Sequence, residues 1–270
     1  VAGVVGFIHS YADGIHTSIP APGLGALAAG MGGAKSKLVR DLAALGVTPD
    51  DIAVVSKHDT STNANDPNES ELHNTLAHAI GRTDGNPLFV ISQKTLTGHA
   101  KGGACIFQIN GLTQLFRSGV IPGNASLDCV DPKLARDDHM VWLRESMRIG
   151  DGAGSCAVKA ALATSLGFGH VSGFVALVHP GAFEAAVAAS AGVNVLKNWR
   201  TKANARLAAG QRRFEEGMMG RSVLFEPVEN RHLLKDGTRL PDGTRYDGHE
   251  AEKAMLLNPE ARLNANGYYC

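Results

Sequence analysis

The sequence is short of the features that would mark a special environment. None of its apolar runs approaches the roughly 20 residues that span a bilayer. It has no excess charge of either sign, with 26 Lys and Arg against 26 Asp and Glu, which argues against a dedicated nucleic-acid or anionic-membrane surface. Its four cysteines, Cys105, Cys129, Cys156 and Cys270, have no paired spacing for zinc and form no disulfide framework, so a reduced, cytoplasmic setting is expected. The first residues, Val1 to Ile8, are apolar but carry neither a basic flank nor an initiator methionine. They read as a strand entered midway, not a signal peptide, and the chain is expected to be a piece of a longer polypeptide. Internal repeats of solenoid length are also missing. What remains is 270 residues of 44% hydrophobic content, enough for one large or two small domains with a real core.

The informative stretch is Lys94-Thr95-Leu96-Thr97-Gly98-His99. It follows a β-forming run, Leu88 to Ser92, and precedes Cys105, Ile106, Ile109, Leu112, Leu115 and Phe116, which recur at helical spacing. His99 therefore falls in a glycine-punctuated loop between a strand and the positive N-terminal end of a buried helix, with Lys94 as a nearby cation. A second unit upstream has the same form. The strand Ile52 to Ser56 runs into Lys57-His58-Asp59-Thr60-Ser61-Thr62, and a helix over 69–80 follows with Leu72, Leu76, Ala79 and Ile80 on its apolar side. One histidine among eleven is usually an ordinary surface or core residue. Two at matching strand ends point to one shared pocket, because such ends converge in a parallel or mixed sheet.

Elsewhere the pattern predicts a strand over 1–9, a helix over 36–45 stopped by Gly46, and an irregular stretch over 124–138. Residues 141–143 read as a short strand. The segments 157–165 and 174–179 read as a hairpin with a glycine-rich corner at 167–173. From Ala182 the sequence becomes alanine-rich and amphipathic, one or two helices with Lys197, Arg200, Lys202, Arg206, Arg212 and Arg213 on a solvated face. Residues 221–270 are charged and turn-rich with little periodicity.

His58-Asp59-Thr60-Ser61-Thr62, then Asp66 and Glu69, then Lys94 to His99, then Gly167-Phe168-Gly169 together resemble the C-terminal half of β-ketoacyl synthases, in order and in spacing. The wording of 17–23 and 57–69 is similar to the synthase domain of fungal-type, actinobacterial type I fatty acid synthases. The resemblance covers residues 1–180 strongly and the rest loosely. It implies an α/β fold of the thiolase type, of which this chain supplies the C-terminal half, a mixed five-stranded sheet between helices. Residues 1–180 would be that half, and 181–270 a helical, then irregular, C-terminal extension. The implied reaction is decarboxylative Claisen condensation of a malonyl thioester with an acyl thioester held on a cysteine of the other half; Cys156 sits at the wrong place in the motif order to replace it.

By this resemblance His58 and His99 donate N–H groups to a thioester oxygen, and Lys94 holds His99 neutral; for Lys94 an ion pair with Glu69 or Asp66 is an open alternative. Thr60 and Thr62 match positions that bond pantetheine amides. Phe168 matches a gating phenylalanine between Gly167 and Gly169. Gln108 departs from the family pattern, standing where many free-standing synthases carry glutamate. No cofactor or metal is implied for this segment, since substrates ride on the phosphopantetheine of an acyl carrier protein. The implied partners are the cysteine-bearing N-terminal half, the carrier protein, other synthase domains, and further copies in a synthase dimer within a hexamer. Three other readings stand beside this one: a catalytically incomplete fragment with an assembly role, a thiolase, and a metal hydrolase built on His9, His16, His58 and His99. Thiolases need a second cysteine and a different histidine loop, and no acidic ligand spacing supports the hydrolase.

Overall fold

The computed structural model describes residues 1–12, 24–62, 65–134, 139–150, 158–167 and 171–221. Its main sheet has six strands in the order β1 (Val4–Ala12), β8 (Val171–Val178), β7 (Ala160–Gly167), β2 (Ile52–Ser56), β3 (Leu88–Ile91) and β5 (Met140–Trp142). β2, β3, β5 and β7 run parallel to their neighbours in that group, whereas β8 pairs antiparallel with both β7 and β1. The sheet is mixed, as expected, but has six strands where five were expected, with β5 as a three-residue strand at its edge. The hairpin expected of 157–179 is the β7–β8 pair, in register from Ala160 opposite Val178 to Gly167 opposite Val171. A two-stranded ribbon, β4 (Val120–Ile121) with β6 (Met147–Arg148), completes the strands.

The central strands are near-continuous apolar runs because both sheet faces are covered. Successive side chains leave opposite faces. Val55, Val90, Leu162, Phe174 and Ala176 join one core with Leu38 and Leu42 of α2 (Lys37–Ala43) and Leu72 and Leu76 of α3 (Asp66–Ala79). That core also takes Ala26 of the single-turn α1 (Leu24–Leu27). Val54, Ile91, Ala161, Ala163, Val175 and Leu177 join the other, against Leu112, Leu115 and Phe116 of α5 (Ala104–Ser118). The result is three layers, helix, sheet, helix.

Local chemistry sets the helix limits. Ser36 caps α2 by accepting from the Val39 N–H at 3.3 Å. α5 ends at Gly119, whose φ of 66° is left-handed and whose N–H returns to the Leu115 carbonyl at 2.8 Å. Two expectations were too simple. The loop before His99 contains a single helical turn, α4 (Lys94–Thr97), too short to leave a periodic signal. In α5, Leu112, Leu115 and Phe116 are buried, but Ile106 and Phe107 are 67% and 42% exposed.

The chain divides into two compact units, Val1–Val193 and Asn194–Cys270. The first includes α6 (Pro180–Ala191), and the second holds nearly all of α7 (Val193–Met218). Where one or two helices were expected from Ala182, the structure has two, the first beginning at Pro180. The expectations for Cys156, Cys270, His16, Phe168, Gly169 and residues 222–270 lie outside the described residues.

Asn124 ties the parallel edge together. Its Oδ1 accepts from the Ser92 N–H at 2.7 Å, and its Nδ2 donates to the carbonyls of Val90 and Leu143 at 3.1 and 3.0 Å. The neighbouring Gly123 has no room for a side chain, because a Cβ there would stand 2.5 Å from the Arg144 carbonyl oxygen. Gly123→Ala is expected to lower stability by about 2 kcal/mol through overpacking against unyielding backbone. Denaturant titration checks this, and an unchanged midpoint would contradict it.

Candidate active site

β2 and β3 are adjacent and parallel, with Ser56 paired to Ile91, so the residues after each strand leave the sheet side by side. The Lys57 N–H continues the ladder to the Ile91 carbonyl at 3.1 Å. The two histidines thereby meet. The rings of His58 and His99 stand 5.5 Å apart between centroids, edge to face at 86°. His58 is buried at 6% exposure, while His99 is open to solvent in this chain.

Lys94 does not lie where sequence proximity suggested. Its ammonium donates to the carbonyl oxygen of His58 and stands 3.3 Å from His58 Nδ1. It reaches His99 only through its field, and among the described residues it forms no ion pair with Glu69. Register explains this: the start of α4 lies beside the end of β2, whereas His99 comes one turn and a glycine later. An ammonium has no acceptor capacity, so the Nδ1 facing it must carry the lone pair, and the ring proton sits on Nε2. His99 is fixed in the same sense, since the Lys101 N–H donates to its Nδ1 at 3.1 Å. Both rings thus present Nε2–H.

Both rings are also held neutral. Burial first, and then the Lys94 ammonium, depress the His58 pKa from 6.5 to about 4. That of His99 is lowered by the desolvation it has and by Lys94 and Lys101.

The carboxylate of Glu69 holds the histidine turn in place. Glu69 is fully buried near the start of α3. It accepts from the His58 N–H, from the Asp59 N–H at 2.7 Å, from Asn65 Nδ2 at 3.0 Å and from the Thr164 hydroxyl at 2.8 Å. Burial alone would raise its pKa, but His73, the Lys57 ammonium and these donors hold it well below the usual carboxylate range. Thr164 spends its one hydrogen on Glu69, so the contact with His73 Nε2 at 3.1 Å is donated by the imidazole. Lys57, also buried, donates to Ser70 at 3.1 Å and lies 3.9 Å from Asp59. Gln108 faces the carbonyls of Ser56, Lys57 and Thr164 at 2.9, 2.9 and 3.1 Å through Nε2. An amide donates to such oxygens, whereas a carboxylate would oppose them, which gives the glutamine a physical reason.

Asp59, Ser61 and Lys101 have left-handed φ of 45°, 55° and 49°, and they are the described non-glycine residues that do. Each costs of order 1 kcal/mol, and such strain gathers at functional sites. All three flank the two histidines. A cavity of about 530 Å³ opens here. Its lining combines polar residues, among them Asp59, Thr60, Ser61, Lys94, Thr95 and His99, with apolar Leu127, Val130, Leu134 and Trp142. Cys129 also lines it. Thr60 and Thr62 face each other at 3.3 Å between hydroxyl oxygens. Gly167 closes β7 opposite Val171. His9 is not part of the cluster: it stacks on Tyr11 in β1, three strands away from β2. Sequence reading missed Asn124 and Thr164, which reach Ser92 and Glu69 across 32 and 95 residues, and although it named Glu69 it did not give it the role of holding the histidine turn.

Comparison with known proteins then shows what the chain is similar to. Residues 2–128 match the sequence model of the β-ketoacyl synthase C-terminal domain. It is 34% identical over 231 residues to the fatty acid synthase alpha subunit pigJ of Monascus ruber, covering 86% of this chain and 11% of that protein. It is 37% identical over 223 residues to the fatty acid synthase subunit alpha of Schizosaccharomyces pombe, covering 83% and 11% respectively. The chain thus spans about a tenth of the length of these relatives. Among solved structures it is similar to the noncanonical ketosynthase FabY from P. aeruginosa, with a TM-score of 0.63 at 22% identity over 87% of this chain and 36% of that one. The ketosynthase domain OzmH KS7 of Streptomcyes albus gives 0.52 at 22% identity, over 66% of this chain and 30% of that one. At such identity these likenesses speak to the fold, which is the thiolase fold of ketosynthases.

The depressed His58 pKa fixes a pH dependence. Folding favours the neutral ring, so the associated stability is complete above pH 6.5 and is lost as pH falls towards 4. Denaturation midpoints measured from pH 7 to pH 4 should fall less steeply in His58→Gln than in the parent. Identical slopes would contradict a neutral, buried His58.

Proposed function

We propose that this chain is the C-terminal half of the condensing domain of a type I fatty acid synthase and that it catalyses decarboxylative condensation of a malonyl thioester carried on acyl carrier protein. The observation that carries the reading is the pair of neutral imidazoles, each with Nδ1 occupied by a donor and Nε2–H left to serve a substrate. When the malonyl carboxylate leaves as carbon dioxide, its bonding electrons enter the thioester carbonyl as an enolate. Two N–H donors set in advance around that oxygen stabilise the charge without a metal. The enolate carbon then attacks the acyl thioester on the cysteine of the other half, and the cysteine leaves as thiolate. Neutrality matters because an imidazolium would lose the Nδ1 lone pair argued above, and the neighbouring ammonium of Lys94 disfavours protonation of both rings.

The cavity suits a pantetheine arm, its lining offering the hydroxyls of Thr60, Ser61 and Thr95 for amides and apolar side chains for the arm's methylenes. Thr62, bonded to Thr60, extends the hydroxyl pair. Exposed Ile106 and Phe107 in the first turn of α5 are the surface on which we place the cysteine-bearing half. Phe168 and its flanking Gly167 and Gly169 remain assigned, by family likeness, to gating the acyl site. The relatives' greater length supports partner domains; the carrier protein, the dimer within a hexamer and a cytoplasmic setting belong to the same proposal, and among the described residues no helix is long and apolar enough to cross a membrane.

In the complete enzyme His99→Ala is expected to slow malonyl decarboxylation by about 10²- to 10³-fold, the cost of one donor to a developing oxyanion. The exposed ring bears little of the fold, so the melting temperature should stay near that of the parent. Carbon dioxide release at the parent rate would refute the role.

A further inference from the structure

We propose that His78, Asp84 and His139 form a binding site for one divalent transition-metal ion, zinc(II) fitting best. The three residues come from separate parts of the chain: the last turn of α3, the turn that follows it, and the residue just before β5. One ligand atom from each lies within 4.8 Å of the other two. The rings of His78 and His139 are 4.8 Å apart between centroids. Two imidazoles and a carboxylate are the donor set that zinc takes when a fourth position is left for water.

His139 supplies the independent indication. It has no exposed surface, its Nδ1 lies 3.1 Å from the Asn86 carbonyl, and its buried Nε2 has no partner. A carbonyl only accepts, so Nδ1 carries the proton and Nε2 holds an unused lone pair. A buried acceptor left in that state is costly. It is also the state of a metal-ligating histidine, whose outer N–H is fixed by a carbonyl while the other nitrogen faces the ion.

The turn carrying Asp84 is built to hold its shape. Arg82, almost fully buried, donates to the carbonyls of Pro49, Asn86 and Pro87 at 2.6, 3.3 and 2.9 Å. Asp50 accepts from the Thr83 N–H at 2.8 Å, from the Thr83 hydroxyl at 2.6 Å and from Asn86 Nδ2 at 3.1 Å. The same Asn86 carbonyl thus serves both Arg82 and His139. In a tetrahedral set with bonds of about 2.1 Å the donors stand about 3.4 Å apart. His78 and Asp84 are exposed, which leaves their side chains room to move towards the ion.

The site is separate from the histidine pocket. The His139 carbonyl accepts from Leu88, the first residue of β3, at 2.7 Å, whereas the pocket lies beyond Ile91 at the other end of that strand. An ion here would clamp the end of α3 to the edge strand β5. Its effect is on stability, not on the condensation itself.

The test is a cobalt(II) titration of the full chain, followed by zinc(II) competition and by melting with and without zinc(II). One equivalent of cobalt should give the intense visible absorption of a four-coordinate site, zinc should abolish it, and zinc should raise the melting temperature with the logarithm of its free concentration over Kd. His78→Gln and Asp84→Asn, both surface changes, should each weaken binding by more than about tenfold. Parent-like affinity in both variants would place the metal elsewhere, for instance on cysteines, and overturn the proposal. So would the absence of both the absorption and the melting shift.

Discussion

Glu69 has no contact with solvent, yet its carboxylate is ionised, and the pocket is arranged around satisfying that charge. A buried carboxylate without donors would cost several kcal/mol. Here the donors come from three places in the chain: the end of β2 through the His58 and Asp59 N–H groups, the start of α3 through Asn65, and β7 through Thr164. Removing any one leaves a charge short of partners in a dry interior, so the three elements are held as a unit. The left-handed backbone at Asp59 and Ser61 is tolerable because the neighbouring contacts over-determine it.

From that constraint the electrostatics of the pocket follow in order. Fixing the backbone of His58 fixes its carbonyl, which receives the Lys94 ammonium; the ammonium in turn faces Nδ1 and selects the tautomer. Its field extends to His99, where the Lys101 N–H makes the same selection from the other side. A buried anion, a half-buried cation and two neutral rings thus form one graded system. The chemistry it suits is stabilisation of a developing oxyanion.

Much of this was legible in the sequence because the signals were local. Ile52 to Val55 and Leu88 to Ile91 are uniformly apolar runs, as strands covered on both faces must be, and a histidine follows each. The helices at 37–43, 66–79 and 104–118 carry their buried leucines at helical spacing. What the sequence hid was partnership across distance. Lys94 is five residues from His99, yet its ammonium meets His58 because adjacent parallel strands bring their ends together. Thr164 and Gln108 reach the site only once β7 and α5 pack on β2, and no spacing rule reports that. Periodicity likewise cannot tell a covered apolar face from an open one, which is why Ile106 read as core. His78, Asp84 and His139 were unremarkable for the same reason, being joined only by the turn that Arg82 and Asp50 shape.

The central claim is that both pocket histidines are neutral and protonated on Nε2 at neutral pH. The direct measurement is nitrogen NMR of the chain labelled with ¹⁵N-histidine, the two rings being assigned from His58→Gln and His99→Gln. At neutral pH each ring should give the shift pair of a neutral imidazole with its proton on Nε2, and His58 should keep that pattern down to about pH 4. A proton on Nδ1 of either ring, or an imidazolium at neutral pH, would contradict the account.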